Sequence, residues 1–216
     1  MLNTLVLEML NAGRIEELTK MLEDEIYEDS LKVKPGAKKR YSVMKKYFKY
    51  HTSVRECLRK PCRVVFEDKD YISFTNTWSL CLTTEDCGEI ELWDESNGKY
   101  PDVTRLIRFD GIKKKLNFRE VIAEAKSKGY RLNKKEVDSR FTYLLLFDGT
   151  YYKIGLLDAT YSIIDNGEIA ITYHPDGERM PLTIKNDIGM CMIMPVKYKD
   201  GVDPEADGKI VIKVEF

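Results

Sequence analysis

A change in hydrophobic periodicity near Pro61 most narrows what this chain can fold into. Before it, apolar residues recur every three or four positions, which is the spacing of one helix face. After it, over residues 63–84, apolar and polar residues alternate, which is the period of a half-buried strand. Further segments of both kinds follow, so the sequence predicts an α+β fold.

The helical pattern covers residues 2–28 with a break at Gly13, then 40–60, 116–128 and 156–164. Strand patterns cover 63–84, a hairpin over 141–154, and most of the chain after residue 168. Residues 85–115 carry turn signals such as Asn97-Gly98 and are predicted to be irregular. No internal repeat is visible in residue identity.

Charge is strongly segregated although the net charge is only −1. Residues 1–31 hold eight acids and two bases, giving −6, whereas residues 32–63 hold twelve bases and one acid, giving +11. Such asymmetry indicates a polyanion-binding strip within a chain that is neutral on average.

A helix over residues 43–60 would concentrate these bases on one side. Apolar residues, among them Val43 and Met44, would fill an arc of about 180°. The opposite arc would carry the candidate nucleic-acid-binding residues, Lys45, Lys46, Lys49, Arg59 and Lys60. A face with nearly one sign of charge, which only Glu56 interrupts, is typical of phosphate contact, and an ordinary solvated face and an anionic membrane surface are the alternatives.

Two stretches resemble the DNA sliding clamps, the processivity β-subunit of bacterial replicative polymerase. The first is residues 63–84, in which a strand, a short acidic turn and a strand ending in Thr83-Thr84 follow the first helix. The second runs from Tyr152 through a helix containing Leu156-Leu-Asp158, then through three strands, the last of which ends in Met194-Pro195.

The resemblance implies a sliding-clamp-like domain with two helices on one face of a curved antiparallel sheet, plus an N-terminal helical appendage. Clamp domains consist of two β-α-β-β-β halves, with both helices on the DNA-facing side. Residues 43–60 would be the first such helix and 155–164 the second, although the second has no Lys or Arg. The chain then divides into an acidic helical segment, 1–31, and a clamp-like domain, 32–216, with an insertion over 85–140. A ring would require a homo-oligomer.

The sequence contains no motif for phosphate cradling, dinucleotide binding or serine hydrolysis, so we expect no enzymatic activity. The two histidines, His51 and His174, are far apart, and the five cysteines include no Cys-x-x-Cys pair. We therefore expect no metal, no other cofactor and reduced thiols. No stretch approaches the roughly 20 apolar residues of a membrane span, and the N-terminus does not look like a signal peptide. A cytoplasmic protein without membrane contact is the expectation.

These features predict a non-enzymatic accessory protein that contacts double-stranded DNA non-specifically through the basic helix, with replication or repair proteins as partners. The main alternative is a protein-interaction module of the same fold, in which the acidic helix 14–29 folds over the basic helix. A third reading is an enzyme whose catalytic residues converge only in space.

Overall fold

A computed structural model gives the conformation of most of the chain. It describes residues 2–30, 36–49, 55–84, 91–107, 112–129, 142–146, 150–164, 169–173, 181–196, 198 and 202–214. The helices are α1 (Leu2–Asn11), α2 (Ile15–Ser30), α3 (Ala37–Lys49), α4 (Phe118–Ser127) and α5 (Ile154–Ile164). The strands are β1 (Cys62–Phe66), β2 (Lys69–Thr75), β3 (Ser79–Thr83), β4 (Ile112–Leu116), β5 (Thr142–Leu146), β6 (Tyr151–Lys153), β7 (Ile169–Tyr173), β8 (Leu182–Asn186), β9 (Gly189–Ile193) and β10 (Ile210–Val214).

Two sheets organise these strands. The large sheet has seven strands in the order β1-β2-β3-β9-β8-β7-β4, and all neighbours are antiparallel. The small sheet has the order β10-β5-β6, in which β10 and β5 run parallel. Short hairpins connect β1 to β2, β2 to β3 and β8 to β9. Strands β3 and β9 also pair, although they are far apart in the sequence.

The central strands of the large sheet are buried on both faces. Alternate residues of its central strands, such as Phe74, Cys81 and Cys191, belong to a core cluster with α3, α4 and α5, and we call this side the helix face. The intervening residues, such as Leu80, Leu82 and Met192, belong to a second cluster with residues of the 91–107 segment, and we call this side the loop face. Because both faces are covered, β3 and β9 are buried along their whole length.

Helices α3 and α5 pack beside each other on the helix face. The sequence prediction of two helices on one side of an antiparallel sheet is therefore confirmed. The two helices differ in burial, however. Nine of the eleven residues of α5 are buried, because it also contacts α4 and the small sheet.

The large sheet has an internal two-fold relation centred on the pair β3 and β9. Cys81 lies opposite Cys191, and their sulfur atoms are 2.8 Å apart. Beyond one end of the pairing, Thr84 N donates to Ile188 O at 2.9 Å. Beyond the other, Met194 N donates to Trp78 O at 2.8 Å. The two hydrogen bonds are counterparts of each other, because each donor and each acceptor in one corresponds to a residue 110 positions away in the other.

The turns that precede β3 and β9 repeat as well. Asn76 Oδ1 accepts from the backbone N–H groups of Trp78 and Ser79, at 3.0 and 2.7 Å. Asn186 Oδ1 accepts from those of Ile188 and Gly189, at 3.1 and 3.0 Å. An asparagine side chain that bonds the backbone two and three residues ahead fixes a tight turn, and the same device therefore serves both halves.

The predicted continuous helix over residues 43–60 is wrong. Helix α3 ends at Lys49 in the described residues, Arg55 is extended, and Glu56–Arg59 is a short 3-10 helix. The physical reason lies in the two cores. Val43 and Met44 pack on the helix face, whereas Cys57 and Leu58 pack on the loop face. One straight helix cannot reach both sides of a sheet.

The other predicted helices and strands agree with the structure to within a few residues, but β4 begins at Ile112, inside the stretch 85–115 that is predicted to be irregular. The hairpin over 141–154 is β5 and β6, and the helix over 116–128 is α4, which ends before Gly129 at φ +101°. The segment 85–140, predicted as an insertion, contributes β4 to the sheet edge, α4 to the helix face and residues such as Tyr100 and Val103 to the loop face. The domain boundaries and the status of that segment as an insertion stay predictions.

Candidate nucleic-acid interface

Helix α3 carries six bases and no acid in thirteen residues. At about 100° per residue, its lysines fall within one arc of about 120°. They are Lys38, Lys39, Lys45, Lys46 and Lys49. For the last three the structure describes the backbone, which places the positions on this arc of the helix. Closely spaced cations on one side of a helix give the chemistry of a phosphate-contacting surface.

The opposite side of α3 holds the helix to the fold. Ala37 and Met44 are fully buried, and Tyr41 and Val43 are nearly so. Met44 and Val43 join the core on the helix face, next to α5 and β2. Tyr41 and Ala37 form a small buried cluster, against which Tyr27 of α2 packs. A helix fixed along one side can present the other side as a stable surface.

Two of the five predicted site residues are not part of this surface. Arg59 ends the 3-10 helix and Lys60 follows it, next to Cys57 and Leu58, which pack on the loop face. Lys60 is also paired with Glu91. The structure therefore keeps Lys45, Lys46 and Lys49 together on α3 and separates them from Arg59 and Lys60 by the sheet.

Lys38 and Lys39 belong to the arc but lie outside the helix that the sequence predicts. The turn signal Pro35-Gly36 places the predicted start of that helix after them, so the first turn of α3 is left out. The sequence signal that could have located them is the unbroken basic run Lys38-Lys-Arg40. In the structure, Gly36 with φ +73° directly precedes α3, which begins at Ala37.

The acidic helix α2 touches α3 at one end. The rings of Tyr27 and Tyr41 meet edge to face with centroids 5.3 Å apart, and Asp29 Oδ1 lies 3.7 Å from Lys38 Nζ. The last turn of α2 has no base, so its acids oppose the dipole of their own helix. The positive N-terminal end of α3 compensates this. An exposed ion pair of this kind contributes about 0–1 kcal/mol.

The second helix that the resemblance assigns to the DNA side is covered. Phe118 of α4 stacks on Tyr161 of α5 with centroids 5.8 Å apart, and Arg119 Nε donates to Tyr161 OH at 2.8 Å. Since α5 also has no basic residue, it offers phosphates neither charge nor access. The second helix that the resemblance implies on the DNA-facing side is therefore covered by α4 and the small sheet, and DNA contact through α3 stays a prediction.

Within the described ranges, no group of three or more His, Cys, Asp or Glu side chains could hold a metal ion. His51 and His174 lie outside those ranges. The described helices also include none that is long and apolar enough to cross a membrane. Burial raises the pKa of the Cys62 thiol, which favours the neutral thiol over the reactive thiolate.

No known protein family and no curated protein matches the sequence. Among solved structures, the DNA polymerase sliding clamp from Bacillus subtilis matches over 76% of this chain, with a TM-score of 0.51 and 13% identity. The DNA polymerase III beta subunit from Thermotoga maritima matches over 79% of this chain, with a TM-score of 0.52 and 10% identity. The matched regions span 63% and 64% of those proteins.

These likenesses confirm the fold class. The chain is an α+β protein with a sliding-clamp-like domain, and its resemblance to bacterial sliding clamps holds in three dimensions at very low identity. At this identity the likeness concerns the fold, and function has to be argued from the surface.

Proposed function

We propose that this protein is a non-enzymatic accessory factor with a clamp-like fold that contacts double-stranded DNA through the lysines of α3. The observation that carries the proposal is the distribution of charge on that helix: five of its six bases are lysines on one arc, it has no acid, and buried apolar residues lie on the opposite side, where the sixth base, Arg40, also falls. Cations spread over a helix face bind phosphates without reading bases.

The two solved structures that share this fold also support contact with DNA. They are named as a DNA polymerase sliding clamp and a DNA polymerase III beta subunit. By this analogy we propose a role beside a DNA polymerase or repair machinery, with DNA and replication or repair proteins as partners. A homo-oligomer would be required only if the protein forms a closed ring.

A salt titration of binding to random duplex DNA tests the proposal. Removing one lysine–phosphate interaction should make the slope of log K against log salt shallower by about 0.9. We therefore expect Lys45→Glu/Lys46→Glu to weaken binding and to reduce the slope by about 2. Binding is measured by fluorescence anisotropy at several salt concentrations.

Two charge-matched variants serve as controls. Lys69→Glu/Lys99→Glu changes two exposed lysines outside α3 by the same total charge. Arg59→Glu/Lys60→Glu changes the two bases that the sheet separates from α3. Both should leave the slope nearly unchanged. Equal weakening in all three variants, or no binding at low salt, would contradict DNA contact through α3.

A second candidate is a protein-interaction module, and the contact between α2 and α3 favours it. The pairs Tyr27–Tyr41 and Asp29–Lys38 bring the end of an acidic helix to the start of the basic one. If α2 acts as a cover, Tyr27→Ala/Asp29→Asn should increase DNA affinity. If DNA affinity is unchanged, the contact is structural and α2 is available to other partners.

A further inference from the structure

The first two helices carry most of the exposed aliphatic surface. Ten large apolar side chains are exposed in the described part of the chain, and six of them lie in α1 and α2. They are Leu5, Leu7, Leu10, Ile15, Leu22 and Ile26. Concentrated exposure of this kind marks an interaction surface, whereas single exposed apolar residues need no explanation.

On α2 these residues form a continuous stripe. Ile15, Leu22 and Ile26 fall within an arc of about 40° at helical spacing. Ile15 is 61% exposed and Ile26 is 71% exposed. Leu18, at the edge of the same arc, is buried, as is Met9 of the adjacent α1. Helix α1 therefore covers one edge of the stripe and leaves its centre open.

Carboxylates line both sides of the stripe. Glu16 and Glu23 lie on one side and Glu25 and Asp29 on the other, and all four are exposed. The single base of α2, Lys20, falls on the far side of the helix. The stripe is thus an apolar strip between two acidic borders.

We infer that α2 docks a basic amphipathic helix of a partner protein, whose apolar side covers Ile15, Leu22 and Ile26. An amphipathic helix fits a stripe of this spacing because its anchors recur at three and four residues. Lysines or arginines that flank those anchors would meet the carboxylates on both borders, which gives specificity and faster association.

The acidic borders of the stripe favour a basic partner helix over the other possible occupants. A second copy of α2 would bring its own acidic borders against these, and like charges across an interface are repulsive. An anionic membrane surface would be repelled in the same way. The basic helix of the same chain meets α2 near Tyr27 and Asp29, and Ile26 stays exposed beside that contact.

The inference deepens the protein-interaction candidate and rests on it, but it does not depend on DNA contact through α3. The test uses the full chain and synthetic amphipathic peptides of about 20 residues, which form about five helical turns. One set carries Leu and Ile anchors flanked by Lys and Arg. A matched set has the same anchors flanked by Glu. Binding is followed by fluorescence anisotropy.

We expect the basic peptides to bind at least about tenfold more tightly than the acidic ones, with the difference shrinking as salt screens the charges. The variant Ile15→Gln/Ile26→Gln should reduce the affinity by at least about tenfold. The matched variant Val65→Gln/Leu106→Gln, which changes two comparably exposed apolar residues elsewhere, should bind as the original chain does. Circular dichroism should show unchanged helix content in both variants.

Three results would overturn the inference. Absence of peptide binding is one, and equal binding of basic and acidic peptides is another. The third is self-association in sedimentation experiments that Ile15→Gln/Ile26→Gln abolishes, since the occupant would then be a second copy. DNA binding measured on the same variants separates the two proposals, because changes on the stripe should leave it intact.

Discussion

Tyr100 brings a phenol hydroxyl into the apolar cluster on the loop face, among residues such as Tyr71 and Met192. Burial raises the pKa of Tyr100 to about 12, and the neighbouring Ser73 hydroxyl offsets this only in part. The cause is desolvation, which disfavours the phenolate. The folded state therefore favours the neutral phenol over the phenolate.

The folded protein should accordingly lose stability in alkali through this residue. A pKa raised above the unfolded value of 10.0 leaves stability intact below pH 10 and removes it as pH rises toward 12. The full loss is about 3 kcal/mol, and part of it should appear between pH 10 and 11. Urea unfolding of the original chain and of Tyr100→Phe at pH 8, 10 and 11 measures it. The two proteins should diverge as pH rises, with Tyr100→Phe the more stable, and parallel curves would contradict the prediction.

At the scale of elements, the strand patterns located the strands well, although β3 and β9 send alternate residues into two different cores and are buried on both faces rather than on one. The same patterns could not show that the two cores lie on opposite faces of one sheet. The helix over 43–60 failed for this reason. Val43 and Leu58 both pack against a core, as expected for apolar residues. Val43 belongs to the core on the helix face, however, and Leu58 packs against the core on the loop face. The structure places Lys45, Lys46 and Lys49 on α3 and Arg59 and Lys60 at the end of the 3-10 helix, and the role of all five in binding nucleic acid stays a prediction.

The matched turns at Asn76 and Asn186 give an element-scale prediction. Both use Oδ1 as the turn acceptor, which aspartate retains, but Asn186 also donates from Nδ2 to Ile164 O at the end of α5. Asn186→Asp replaces that donor by a carboxylate oxygen facing a carbonyl. We expect it to lower the free energy of unfolding by about 1–3 kcal/mol. Asn76→Asp should change it by less than about 0.5 kcal/mol. Denaturant unfolding compares them, and equal losses of stability would show that the Asn186–Ile164 bond contributes nothing.

For the whole molecule, the internal two-fold relation is implied by the resemblance to clamp domains but is not visible as a repeat of residue identity. Cys81 and Cys191 occupy matched positions, yet Leu80 and Leu82 correspond to methionines, so residue identity hides the repeat while backbone bonds preserve it. The halves have also diverged in their surroundings. Helix α3 carries its lysines on the arc opposite its buried residues, whereas α4 and the small sheet cover α5. Because this cover comes from segments outside the repeated elements, neither half alone predicts it.

This asymmetry leads to a prediction about how the molecule would hold DNA. With α5 covered, phosphates are offered one helix rather than a wall formed by two, so binding should be a surface contact without encirclement. The complex with a closed circular duplex should then dissociate at the same rate as the complex with the same DNA after a restriction enzyme has cut the circle. Gel filtration of labelled protein on circular and linearised DNA of the same sequence measures this at low salt. Lys45→Glu/Lys46→Glu should weaken retention on both forms equally. Retention on circles that disappears on cutting would instead require a closed ring, and hence an oligomer in which several copies of α3 line one channel.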